Sequence, residues 1–259
     1  MAELSAAERL LDGHAAPAPA PRRPRGDAPA RLGHPDAALG YAWARTPLAI
    51  TVRRRLQPAV IPLLKALYRV DVEGWGQVRG LRGQVIFVAN HHHHLDAALI
   101  LAHLPASWRA RLLVAAAADT IFASPIRGAI AALLGNAVPL ERGGARRHSL
   151  EHLTEMLVQG WSLLIFPEGR LTVGGPLRPF KGGTALLAME TGAPIVPMWL
   201  AVRRPGLWER RARQGWMTLR VGAPLVLAAD QDHDAAAEQL EAAVRALAHP
   251  PAPNGVSAR

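Results

Sequence analysis

The chain contains no cysteine, which excludes disulfides, cysteine-zinc sites, thiol nucleophiles and acyl-cysteine intermediates. Lysine is almost missing as well. Of 30 basic side chains only Lys65 and Lys181 are lysines, and the other 28 are arginines. Two tyrosines and four phenylalanines, with no recognisable nucleic-acid module, argue against a nucleic-acid binder. No run approaches the ~18 to 20 uninterrupted apolar residues of a spanning helix, so membrane contact is expected to be interfacial. No secretory signal is visible, because the first apolar stretch is broken by charges and prolines. There is no Gly-x-Ser-x-Gly elbow, since Gly160-Trp161-Ser162 runs into Leu163-Leu164. Phosphate-binding Gly-x4-Gly-Lys-Ser/Thr loops, Gly-x-Gly-x-x-Gly fingerprints and internal repeats are also missing.

What is present is a strongly cationic chain of 259 residues with a formal net charge of +10. That length suits one sizeable α/β domain, or one domain plus a tail. Half of the residues are hydrophobic, ordinary for a packed core and too few for several membrane spans. The flat fork of arginine suits phosphate oxygens. Candidate partners are therefore nucleic acid, anionic lipid or a phosphorylated substrate, with a plain Arg/Ala/Pro bias as the alternative. Anionic lipid explains the arginine excess as well as nucleic acid does, and nucleic acid is not expected.

Residues 1–45 are rich in Ala, Pro, Arg and Gly, as in Ala18-Pro19-Ala20-Pro21-Arg22-Arg23-Pro24-Arg25. Such a composition reads as a disordered basic tail, leaving 46–259 as the domain. From Pro47 to Tyr68 a basic cluster, Arg53-Arg54-Arg55, precedes the helical stripe Leu56, Val60, Ile61, Leu63, Leu64 and Leu67. The segment suits either the headgroup layer or the core, with its arginines solvated. Strands are expected at 85–89, 112–115, 137–140, 162–166, 195–202 and 216–221. Helices are expected from Asp96, from Ser124-Pro125 to Leu134, up to about Gly160, from Thr184 to Thr191, and after a cap at Asp234. The alternation predicts a three-layer α/β fold, a largely parallel sheet flanked by helices.

Two segments follow buried strands, at the carboxyl ends where ligand sites of open α/β sheets gather. The first is Asn90-His91-His92-His93-His94-Leu95-Asp96. On a continuous helix His91 and Asp96 would point roughly 140° apart. They meet only if the chain turns between them and Asp96 begins the next helix. A histidine held by a carboxylate is the arrangement of a general base. Asp96 could equally be only an N-cap. A His-x-His-x-Asp-His metal site would need Asp at 95 and His at 96, where this chain has Leu95 and Asp96. The second segment, Phe166-Pro167-Glu168-Gly169-Arg170, places Glu168 and Arg170 at the sheet edge, or is a salt-bridged turn. Phe180-Lys181-Gly182-Gly183 then leads into a helix start, a reasonable place for an anion.

Together with Gly135-Asn136-Ala137-Val138-Pro139-Leu140-Glu141-Arg142 and Ala193-Pro194-Ile195-Val196-Pro197, these segments resemble the glycerophospholipid acyltransferase family over roughly residues 72–221. The resemblance implies an acyl thioester donor, acyl-CoA or acyl carrier protein, and a lysophospholipid acceptor, foremost 1-acylglycerol-3-phosphate. It implies that His91 deprotonates the acceptor hydroxyl and that Asp96 orients His91. Glu168 and Gly169 would help place the acceptor; Arg142, with Arg170 or Lys181, would bind its phosphate. No metal, cofactor or acyl-enzyme is called for. The chain departs from the family pattern at Val138-Pro139, at Arg142 seven residues after Gly135, and at Arg170 directly after Gly169. These departures fall in the acceptor-binding part, so another lysolipid or lipid alcohol is the rival acceptor. The Trp199, Trp208 and Trp216 region, with Arg203, Arg204, Arg210, Arg211 and Arg213, reads as an interfacial strip or as an exposed basic loop. The expected location is cytoplasmic, peripheral on an anionic membrane at the inner face of the cell membrane.

Overall fold

Ile86–Ala89 and Ser162–Ile165 are buried at every position, as strands at the centre of a sheet covered on both faces must be. The computed structural model, which describes residues 41–141, 146–173, 175–203 and 215–249, places them side by side. The strands are β1 Tyr68–Glu73, β2 Ile86–Ala89, β3 Leu112–Ala117, β4 Ala137–Leu140, β5 Ser162–Ile165, β6 Ile195–Arg203 and β7 Gly215–Val221. They form one sheet in the order β1-β7-β6-β2-β5-β3-β4. Strands β6, β2, β5, β3 and β4 are parallel. β7 runs against β6, and β1 follows β7.

The helices are α1 Pro47–Leu67, α2 Asp96–His103, α3 Ala106–Arg109, α4 Pro125–Gly135, α5 Arg146–Val158, α6 Gly183–Thr191 and α7 His233–Ala246. Alternation along β2 divides the core. Ile86 and Val88 face Leu153 and Leu157 of α5, Leu187 of α6 and Leu240 of α7. Phe87 and Ala89 face Leu99 and Ile100 of α2, with Met217 and Leu219 of β7 alongside. Each such fully buried side chain contributes roughly 2 kcal/mol, so burial holds the central strands. The result is the expected three-layer α/β architecture.

Several expectations need correction. β1 lies just past the expected amphipathic helix; its signal is the period-two series Tyr68, Val70, Val72. The final helix is capped by Asp232, whose Oδ1 accepts the N–H groups of Asp234 and Ala235 at 3.0 and 2.9 Å, and Asp234 is already helical. α4 ends one residue later than expected, with Asn136 taking the left-handed conformation at φ 51°. Of the expected tail, residues 1–40 lie outside the described residues. Ala42–Arg45 form a 3-10 turn with Ala44 buried, and the Tyr41 ring packs 4.6 Å from that of Phe122.

The arginine cluster divides between two environments. Arg54 and Arg55 are exposed, whereas Arg53 is buried. Its Nε donates to the Leu133 carbonyl at 2.6 Å, and Nη2 donates to the Ala132 and Ala44 carbonyls, both at 2.8 Å. Gln57 adds a bond to the Leu134 carbonyl at 3.1 Å. α1 thus caps the carbonyl-rich end of α4, where the helix dipole favours a cation. Burial, then the charge of Arg45, lowers the Arg53 pKa to about 10, so the side chain stays charged at neutral pH. Arg53→Ala is expected to cost about 3 kcal/mol in urea unfolding, because three carbonyls lose a buried charged donor. Arg54→Ala should cost less than about 0.5 kcal/mol in the same measurement.

Candidate active site

Two adjacent central strands send the chain opposite ways. β2 leads to β3, beyond β5, while β5 leads to β6, beyond β2. Their carboxyl ends therefore open into the crevice that such a switch creates. Val88 is registered with Ile165. His91 and Glu168 each come three residues after that pair, so parallel pairing alone delivers them to the same edge.

Asn90 governs the exit from β2. Its Nδ2 donates to the Leu200 carbonyl at 2.9 Å and its Oδ1 accepts the Leu200 N–H at 2.7 Å. The carboxamide thus replaces a peptide group in the ladder, and the backbone is released into a turn. That turn closes on Asp96, the first residue of α2. Asp96 Oδ2 accepts His91 Nδ1 at 3.0 Å and the backbone N–H groups of His92 and His93 at 2.7 and 2.8 Å. Asp96 is therefore more than a helix-start residue; Leu95 is the N-cap, and it makes no side-chain cap.

An oxygen serving three donors acts as an acceptor, so His91 carries its proton on Nδ1 and presents Nε2 as the basic nitrogen. The ring is 24% exposed, against 1% for the Asp96 side chain, and it stacks on Phe166 with centroids 4.4 Å apart. A carboxylate-held, partly exposed imidazole with one basic nitrogen left over can take a proton from a hydroxyl.

Glu168 is 3% exposed, and both of its oxygens are occupied by the chain. Oε1 accepts the His91 N–H at 2.7 Å, and Oε2 accepts the Thr172 hydroxyl at 2.8 Å and the Arg178 N–H at 3.2 Å. Thr172 reaches the same turn, its N–H donating to the His91 carbonyl at 2.7 Å and its own carbonyl accepting His92 Nδ1 at 2.5 Å. Reading the sequence missed Thr172; the chain itself shows only a threonine four residues after Glu168, which carries no signal of its contacts.

The four histidines do not converge. His92 meets Trp199 edge-on at 5.7 Å, His93 meets Tyr68 at 6.3 Å, and His94 is exposed. Gly169 has φ +67°, and a Cβ there would lie 2.6 Å from Lys181 Nζ. Lys181 is thereby seated against the glycine next to Glu168. Arg170 is exposed. Arg142 lies outside the described residues, as do Trp208, Arg204, Arg210, Arg211 and Arg213 of the expected interfacial strip. The guanidinium of Arg53 is spent on the carbonyls of α4.

A model of the acyltransferase family matches residues 69–201, just over half of the chain, including His91, Asp96, Glu168 and Thr172. A chloroplast 1-acyl-sn-glycerol-3-phosphate acyltransferase of Brassica napus is 31% identical over 135 residues, 51% of this chain and 37% of the relative. A lyso-ornithine lipid O-acyltransferase of Pseudomonas aeruginosa is 32% identical over 131 residues, 51% of this chain and 48% of the relative. The chain thus spans less than half the length of these curated relatives. The crystal structure of the 1-acyl-sn-glycerophosphate acyltransferase PlsC of Thermotoga maritima superposes with a TM-score of 0.54 at 20% identity, covering 79% of this chain and 81% of that one. That likeness bears on the fold. With the family match running from β1 into β6 and enclosing the His91–Asp96 pair, this chain belongs to the acyltransferase family.

Proposed function

We propose that this chain transfers a fatty acyl group from acyl-CoA or acyl carrier protein to the hydroxyl of a lysophospholipid, foremost 1-acylglycerol-3-phosphate, giving phosphatidic acid. The observation carrying this reading is the 3.0 Å contact between His91 Nδ1 and Asp96 Oδ2 on a partly exposed imidazole.

The acceptor hydroxyl gives its proton to His91 Nε2 as its oxygen attacks the thioester carbonyl carbon. The resulting imidazolium is stabilised by Asp96 through Nδ1–H. The C–S bond then breaks, the new ester leaves with the acceptor, and the thiolate recovers the proton from Nε2. Atoms and charge balance without a covalent enzyme intermediate, and no cofactor is needed besides the donor. Lys181, seated beside Gly169, and Arg142 supply cations for the acceptor phosphate, where charge-assisted contacts are short and directional. The lyso-ornithine lipid relative favours a second reading in which the acceptor is a lysolipid named for an amino acid.

The acceptor is a lipid, so the enzyme must meet a membrane surface. Among the described residues no helix is long and apolar enough to cross one. α1 supports interfacial contact instead. Leu48, Leu56, Leu63 and Leu67 are exposed on it and fall within about 100° of arc. Arg55 is exposed at the border of that arc, suited to an anionic headgroup layer, and Arg54 and Lys65 are exposed across the helix.

Incubation with labelled acyl-CoA or acyl carrier protein and a panel of lysolipids, followed by mass spectrometry, should yield phosphatidic acid from 1-acylglycerol-3-phosphate. Absence of any new ester across the panel would refute acyl transfer; a product from lyso-ornithine lipid alone would establish the second reading. His91→Ala should abolish turnover with vesicle binding intact, and Asp96→Asn should lower kcat by roughly four orders of magnitude by favouring the wrong tautomer. The paired change Leu63→Glu and Leu67→Glu should weaken flotation with anionic vesicles at least about tenfold, with helix content unchanged by circular dichroism.

A further inference from the structure

The family resemblance assigns Glu168 to the acceptor. The geometry points elsewhere: we propose that Glu168 and Thr172 form a positioning pair that holds the backbone on both sides of His91, and that neither contacts the acceptor. This rests on the acyl-transfer reading for its kinetic consequences and on hydrogen bonds for its structure.

The peptide groups around His91 are held from outside their own strand. Its N–H donates to Glu168 Oε1 at 2.7 Å and its carbonyl accepts the Thr172 N–H at 2.7 Å. The next side chain, His92, donates to the Thr172 carbonyl at 2.5 Å. Asp96 fixes the imidazole, whereas the 168–172 loop fixes the Cα from which it hangs. The two anchors come from different elements, since Asp96 starts α2 and the loop follows β5.

Glu168 is turned into the protein. With 3% exposure and donors from the chain on both oxygens, it offers an acceptor hydroxyl almost no accessible surface. Thr172 is also buried, and its hydroxyl donates to Glu168 Oε2 at 2.8 Å. Without that hydroxyl, Oε2 loses the shorter of these bonds and retains the 3.2 Å one from the Arg178 N–H. A buried carboxylate stripped of a donor is costly and reorients toward replacements. Reorientation loosens Oε1 from the His91 N–H and displaces the base. Misplacing a reacting group by about 1 Å costs up to roughly a hundredfold in rate, and loss of an orienting outer partner costs about 10- to 100-fold.

The test uses the full chain. Thr172→Val should lower kcat by about 10- to 100-fold with the KM for the lysolipid within about twofold, and Thr172→Ser should restore kcat. If the valine variant does not fold, as judged by circular dichroism, Thr172→Ala removes the same hydroxyl without the added bulk and carries the same expectation. The independent readout is the imidazole Nδ1–H proton resonance of His91, assigned by its loss in His91→Gln. It should be sharp in the wild type and in Thr172→Ser, and broadened or absent in the variants lacking the hydroxyl. An unchanged kcat with a sharp His91 resonance overturns the proposal. So does Glu168→Gln raising KM at constant kcat, the signature of acceptor binding. A wild-type protein that forms no ester refutes the transferase reading alone, because the resonance still reports whether the pair positions His91.

Discussion

A single buried oxygen, Asp96 Oδ2, takes the imidazole N–H of His91 and the backbone N–H groups of His92 and His93. Those bonds wind residues 91–96 into a turn, so one carboxylate shapes the loop and chooses the tautomer of the ring. Asp96 sits in the first turn of α2, where the helix end offers a favourable field to a negative charge. With the side chain 1% exposed, water competes little for these bonds, which strengthens each of them. An uncharged replacement would leave the shape of the turn and the direction of the base undecided together.

That turn acquires its meaning from the sheet. Because β2 and β5 are parallel and in register at Val88 and Ile165, residues far apart in the chain emerge at equal height. Asn90 then ends the ladder on the β6 side through its carboxamide, and the Glu168–Thr172 loop ends it on the β5 side. His91 is thereby gripped between neighbouring strand ends, and Phe166 stacks against its ring. Rigidity of this kind suits a step in which a proton and a carbonyl carbon must be met in one geometry.

The arginines of α1 illustrate how one residue type serves different ends. Arg53 spends its charge on the carbonyls at the end of α4, where removing it would leave buried acceptors bare. Its neighbours Arg54 and Arg55 face outward; Arg55 flanks the arc of exposed leucines, and Arg54 lies across the helix from it. A cluster that reads as one feature in the chain is thus divided by the 100° step of the helix.

The sequence by itself determined the alternation of buried strands and amphipathic helices, because period and length are local properties. It likewise carried the identity of His91, Asp96 and Glu168, whose spacing after strand ends is visible in one dimension. It did not determine that β1 is a strand, since six residues at the end of a long helix are too short to outweigh the stronger helical pattern before them. Nor did it reveal that Arg53 is buried, that Asp232 rather than Asp234 caps α7, or that Thr172 reaches His91. Those outcomes depend on partners 80 residues distant, as for Arg53 and Leu133, or on which of two nearby carboxylates happens to aim at a helix end. Only the tertiary structure decided that Glu168 faces inward to the turn, because hydrogen bonding between loops is settled by strand register, which no single segment encodes.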